Sequence, residues 1–202
     1  MNTRVALVWG MIAAGGLLGM GAGCKLLPEP QADPTRYYVL TARPGGGAAV
    51  ASAAVQVRPV EVASYLRNRP LVVRRGEHEI AWRDYARWGE PLEQGIGRVL
   101  LEELRSRGVA AVAAGGPGRE GPAAERQLTV RVLACEGAAD GAVLFRATWE
   151  LATIGPKPAV TARGEHRAAG LQWDGKTEAA LVARLSEAIG GLASEIAGAL
   201  AR

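Results

Sequence analysis

Apolar residues recur along this chain with two different periods, and the switches between them mark the elements. Residues 37–41 (YYVLT) are aromatic and β-branched and predict a first strand. In 54–60 (AVQVRPV), Val55 and Val57 alternate with Gln56 and Arg58, a half-buried strand that Pro59 ends. Residues 64–68 read as one irregular turn. Residues 71–74 and 78–82 flank Arg75, Gly76 and Glu77 and predict a hairpin. The period then becomes helical. Leu92, Ile96, Val99, Leu100 and Leu104 share one face, Pro91 suits the first helical position and Gly108 the end, so a helix is expected to about residue 107. Glu102, Glu103, Arg105 and Arg107 lie largely off that face, as solvated positions would. Residues 109–113 predict a short strand.

Strict alternation returns over three longer runs. In 127–135, Leu128, Val130, Val132 and Ala134 fall on one side, with Thr129 and Arg131 on the other. In 143–153, Val143, Phe145, Ala147, Trp149 and Leu151 oppose Arg146, Thr148 and Glu150. In 159–167, Thr161, Arg163, Glu165 and Arg167 form the wet set. Such alternation, with short turns at 137–141 and 155–158, predicts an antiparallel meander with one face buried. A last helix is expected over about 177–201, where Leu181, Leu185, Ile189, Leu192, Ile196 and Leu200 make a continuous stripe. The pair Gly190 and Gly191 would loosen or bend it. The fold class is therefore α+β: a mixed, largely antiparallel sheet with two long amphipathic helices packed on one face.

The N-terminus follows neither period. Residues 5–18 are apolar, come after a single charge at Arg4, and give way to Gly19, Gly21, Ala22 and Gly23 just before Cys24. A charged start, an apolar middle and a small-residue cleavage site are the parts of an export signal. The cysteine behind them makes the segment resemble a bacterial lipobox, although Gly21 stands where an aliphatic residue is usual. The organisation that follows is a signal peptide over 1–23, a lipidated Cys24 with a flexible tether over 24–35, and a single periplasmic domain over 36–202. The tether carries three prolines in residues 25–35 and reaches on the order of 35 Å at ~3.3 Å per residue. With Cys24 used by lipid, Cys135 is left without a bridging partner and reads as a small buried hydrophobe.

Composition removes several function classes. A formal net charge of +4 is modest, and its densest cluster (Arg67, Arg69, Arg74, Arg75) has no aromatic interleaving, so nucleic acid is not an expected partner. Gly116, Gly118 and Gly121 have dinucleotide spacing, but Pro122 and a strand follow instead of a helix, which leaves a loop. His78 and His166 lack a second histidine or a cysteine at ligand spacing, so no metal site is expected. No serine sits in a nucleophile elbow. Carboxylates are scattered over helix faces and turns, where solvation is the ordinary explanation. No enzyme signature remains, and no cofactor is expected beyond the covalent lipid on Cys24.

From Tyr37 onward the chain resembles the auxiliary lipoproteins of ABC-type and MCE-type transport systems, the paraquat-inducible protein C (YmbA) family. The resemblance rests on Tyr37, Tyr38, Val39 and Leu40, then on VQVRPV at 55–60, with Pro59, leading to Tyr65, Leu66, Arg67, Asn68 and Arg69. It continues through LVVR at 71–74 and is sharpest at Arg87, Trp88, Gly89, Glu90, Pro91 and Leu92, followed by Arg98, Val99 and Leu100. Gly89 stands where Ala is more usual.

The resemblance implies a non-catalytic docking or scaffolding lipoprotein of a lipid-transport complex between the inner and outer membranes. Its implied partners are the membrane, through the anchor, and an MCE-type component or ABC permease, with the lipoprotein forming a homo-oligomer. Lys25, rather than Asp, follows the cysteine, which favours the outer membrane under the enteric sorting rule. Contact with the partner is expected at open sheet edges and around Tyr65 and Trp88, while simple core packing is the competing account of Tyr65, Trp88 and Leu92. A direct lipid carrier, resembling the lipopolysaccharide-assembly lipoproteins, is the alternative function.

Overall fold

The computed structural model describes residues 31–43, 54–115 and 124–202. The signal segment, Cys24, most of the tether, the Gly116–Gly121 spacing and most of the glycine-rich run after Arg43 lie outside the described residues. The chain divides at Pro34, and the fold below is that of Pro34–Arg202.

Among the described residues nine strands and two helices follow in order: β1 (Arg36–Tyr38), β2 (Val55–Val57), β3 (Glu61–Val62), β4 (Pro70–Arg74), β5 (Ile80–Trp88), α1 (Leu92–Ser106), β6 (Ala111–Ala113), β7 (Arg126–Ala138), β8 (Val143–Thr153), β9 (Val160–Arg167) and α2 (Glu178–Leu200). A 3-10 turn, Ser64–Arg67, separates β3 from β4. β7 is the spine of one sheet. One of its edges carries the full antiparallel ladder to β8, which pairs antiparallel with β9. Along its other edge β2, β3 and β4 lie in series, each parallel to it. The sheet forks there: β2 continues to β6, and β4 continues through β5 to β1. Long pairings are antiparallel and short ones parallel, so the sheet is mixed as expected.

Of three bulges among the described strands, one of them at the exposed Thr161 of β9, two set which residues reach the core. In β7, Val132 pairs with Ala147 and Ala134 with Arg146, so Leu133 is the extra residue. Such an insertion exchanges the two faces downstream. Ala134, expected beside Val132, therefore shares the outer face with Arg146, and Cys135 turns inward at 2% exposure. In β5, Pro70 pairs with Arg87 but Val72 with Trp82, so residues 83–86 bow out opposite Leu71 alone. The expected strand at 78–82 thus begins later and runs on to Trp88.

Both helices cover the inner face. Their apolar stripes meet Leu128, Val130, Phe145, Ala147 and Leu151, all between 0 and 2% exposed. Each fully buried side chain of the leucine, valine or phenylalanine class contributes about 1.5–3 kcal/mol. Pro91 stands one residue ahead of α1, its carbonyl accepting the amides of Gln94 and Gly95. α2 runs unbroken through Gly190 and Gly191. Those glycines serve close approach: a Cβ on Gly191 would lie 3.2 Å from the His166 ring. Among the described residues no helix is long and apolar enough to cross a membrane.

Candidate functional site

The motif residues converge on one junction in the broken half of the sheet. The Trp88 amide donates to the Arg69 carbonyl at 2.7 Å, and the Gly89 amide to the Tyr38 carbonyl at 2.8 Å. Glu90 accepts from Arg98 at 2.6 Å, and the same Arg98 Nη2 donates to the Leu40 carbonyl at 2.9 Å. One short stretch thereby ties β1, the 3-10 turn, β5 and α1 together. Leu66, Trp88 and Leu92 are buried in the core, at 2, 4 and 3% exposure, so packing accounts for them. Tyr38 is half-buried against that core. Tyr37, Arg69 and Pro91 are exposed. Pro59, also exposed, lies apart on a surface groove of about 390 Å³ between α1 and the end of β2, with Val60, Gly97 and Leu101.

Tyr65 belongs to a second cluster. Its hydroxyl donates to the Leu133 carbonyl at 3.3 Å, at the β7 bulge. Burial, reinforced by the neighbouring Glu136, raises its pKa above the ordinary phenol value. Glu136 is 1% exposed and accepts from Arg74 Nε at 2.6 Å. That ion pair bridges β4 and β7 where their pairing is only two residues long.

Two further polar ties lie between the layers. Glu103 of α1 is also 1% exposed, paired to Arg107, whose guanidinium donates to Ser194 Oγ at 2.9 Å and to the Gly190 carbonyl at 3.1 Å. Glu195 of α2 accepts from Trp149 Nε1 at 2.9 Å and meets His166 Nδ1 at 2.8 Å. Glu103 and Glu136 correct the expectation that carboxylates here are solvated. The only sequence signal for Glu136 was an acid inside an apolar run. Burial also pushes the Cys135 thiol upward, which suppresses its thiolate.

Outside these ties the surface differs from end to end. Among the described residues no helix lies over the outer faces of β7, β8 and β9, which place Thr129, Glu150 and Arg163 in one cross-strand row and Arg131, Thr148 and Glu165 in the next. Residues of both rows line a shallow groove of about 580 Å³ with Glu61. Among the described residues no three His, Cys, Asp or Glu side chains gather as a metal set would.

A comparison with curated proteins finds no match. Among solved structures, an uncharacterised protein superposes with a TM-score of 0.63 at 21% identity, covering 81% of this chain and 97% of its own. A Xanthomonas campestris protein gives 0.67 at 19% identity, covering 81% and 93%. A PelC dodecamer from Paraburkholderia phytofirmans gives 0.42 at 18% identity, covering 77% and 92%. The first two share the fold. The model of the family described as ABC-type transport auxiliary lipoprotein component matches residues 38–197, a span that takes in the junction, all of α1 and all but the end of α2, and the chain belongs to that family.

Proposed function

We propose that the protein is a non-catalytic docking subunit of an ABC- or MCE-type lipid-transport assembly, held by lipid on Cys24 at the periplasmic face of the outer membrane. Family membership supports the transport association. The observation that carries docking over lipid carriage is the filled space between helices and sheet. Ile96, Leu100, Val130, Leu151, Leu185 and Ile189 are all 0% exposed, and the open groove of about 410 Å³ where α1, α2 and β9 meet is lined by Glu103, Arg107, His166 and Glu187 as well as apolar side chains, whereas a lipid site takes a mostly apolar cleft that buries most of its ligand. Binding therefore belongs to the outer surface. The bare face of β7, β8 and β9, with its rows of alternating charge and hydroxyl, suits a protein partner of complementary charge.

Purification of the anchored protein from crosslinked membranes, followed by mass spectrometry, tests this. Recovery of a permease, ATPase or MCE component is the expected result. Recovery of none, together with a non-covalently bound lipid in native mass spectrometry, would replace docking with carriage.

A further inference from the structure

The opposite end of the sheet has a different chemistry. Six large apolar side chains are exposed among the described residues, and four of them lie on β1, just after it, or on β5: Tyr37 at 62%, Val39 at 51%, Trp82 at 46% and Tyr85 at 60%. The other two, Ile154 and Val160, sit together at the far end of the β8–β9 hairpin. Core packing requires none of the four. Trp82 and Tyr85 share a groove of about 650 Å³ with Arg36, Arg75, Arg83, Asp84 and Glu178; Arg83 is paired to Glu178 and Arg75 to Glu79, which leaves Arg36 as the cation there with no acid in an ion pair among the described residues. Arg87, also exposed, stands opposite Tyr37 across the β1–β5 pairing. Tryptophan, tyrosine and arginine together are the composition of a membrane–water interface, where amphipathic rings sit at head-group level and cations meet anionic lipid.

Two observations favour a lipid surface over a protein strand. β1 is the first element of the domain, so the chain leading from Cys24 enters at this edge. The ten peptide units from Cys24 to Pro34 span at most about 35 Å, which keeps this edge within reach of any bilayer that holds the anchor. The stretch of β5 that β1 leaves unpaired, residues 80–85, bows out over its second half at 83–85, and such a bulge spoils the edge as a template for a further strand.

We infer that the β1–β5 edge is a membrane-contact surface that seats on the anionic phospholipid head groups of the leaflet holding the anchor, with Trp82 and Tyr85 at the interface. The inference rests on the lipid-anchored part of the proposed function and not on docking to a transporter.

Trp88, Trp149 and Trp173 are 4, 6 and 7% exposed, so Trp82 is the accessible indole among the described residues. The test uses the full chain purified with its anchor and reconstituted in phosphatidylcholine vesicles with or without phosphatidylglycerol, carrying brominated acyl chains as quenchers. Emission is expected to fall on vesicles containing phosphatidylglycerol, and the loss is expected to vanish in Trp82→Phe and to shrink in Arg36→Glu with Arg87→Glu. The conservative Trp82→Phe change at an exposed site keeps the fold. Equal quenching in wild type and Trp82→Phe, or none in wild type, would overturn the inference. So would shielding of Trp82 that rises with protein density on neutral vesicles, because a second copy would then occupy the edge. No transport component is present, so failure here leaves the docking proposal standing.

Discussion

On one side of β7 the strands are long and even, and on the other they are short and interrupted. β8 and β9 run 11 and 8 residues in long ladders under α2, each broken only by a single-residue bulge, at Leu133 and at Thr161. β2, β3 and β4 run 3, 2 and 5 residues and hold β7 by two or three residue pairs each. The even half is held by apolar area. The interrupted half has too little ladder for that and adds point ties: Arg74 to Glu136, Arg98 to Leu40 and Glu90, and the Thr41 amide to Ser186 Oγ. The difference separates two tasks. A regular ladder can leave a flat, charged face bare, while bulges and short strands present an aromatic, basic edge without offering it as a pairing template.

The largest expected effect tests the even half. Leu192→Ala, at a fully buried position, should destabilise by about 2–5 kcal/mol, read as a lower urea midpoint with unchanged slope. Next comes the strongest tie of the interrupted half. Arg74→Leu leaves the Glu136 carboxylate buried without its cation, a loss of about 3 kcal/mol. Adding Glu136→Leu should return much of it, and if the double variant is as unstable as the single one, the pair is not what holds β4 to β7.

Arg98→Ala should cost less, about 1–2 kcal/mol, because its side chain is 41% exposed. Its signature is regional: faster amide exchange in β1 and unchanged exchange in β8. Uniform acceleration would contradict the separation of the two halves.

The smallest effect is acidic. Hydrogen bonds from the Thr177 hydroxyl and from the Thr177 and Lys176 amides hold the Asp174 carboxyl at about 2, ahead of α2. A carboxyl lowered on folding stabilises above its unfolded value near 4, and that contribution fades as pH falls toward 2. Asp174→Ala should therefore lower the melting temperature slightly at pH 5 and leave it unchanged near pH 2.

The comparison also explains what could be read from sequence. β8, β9 and both helices were legible because each turns one face toward the core and keeps a single period over most of its length. Ala134 was misplaced because period alone does not reveal an inserted Leu133. The second half of β5 was missed because residues 83–86 leave the alternation, and the parallel pairings of β2, β3 and β4 were hidden because period does not name a partner. Glu103 and Glu136 read as solvated because an acid's burial depends on an arginine distant in sequence or on the opposing layer. The stretch from Arg87 to Leu92 was visible as a pattern, but its role as a junction needed the backbone bonds to Arg69 and Tyr38.

Photo-crosslinking from the two ends of the sheet in living cells tests the central separation most directly. A benzophenone side chain at Thr148 should yield a discrete adduct containing a permease or MCE component, and the same group at Tyr85 should yield lipid adducts without it. The same transport protein captured from both positions, or from Tyr85 alone, would contradict the account.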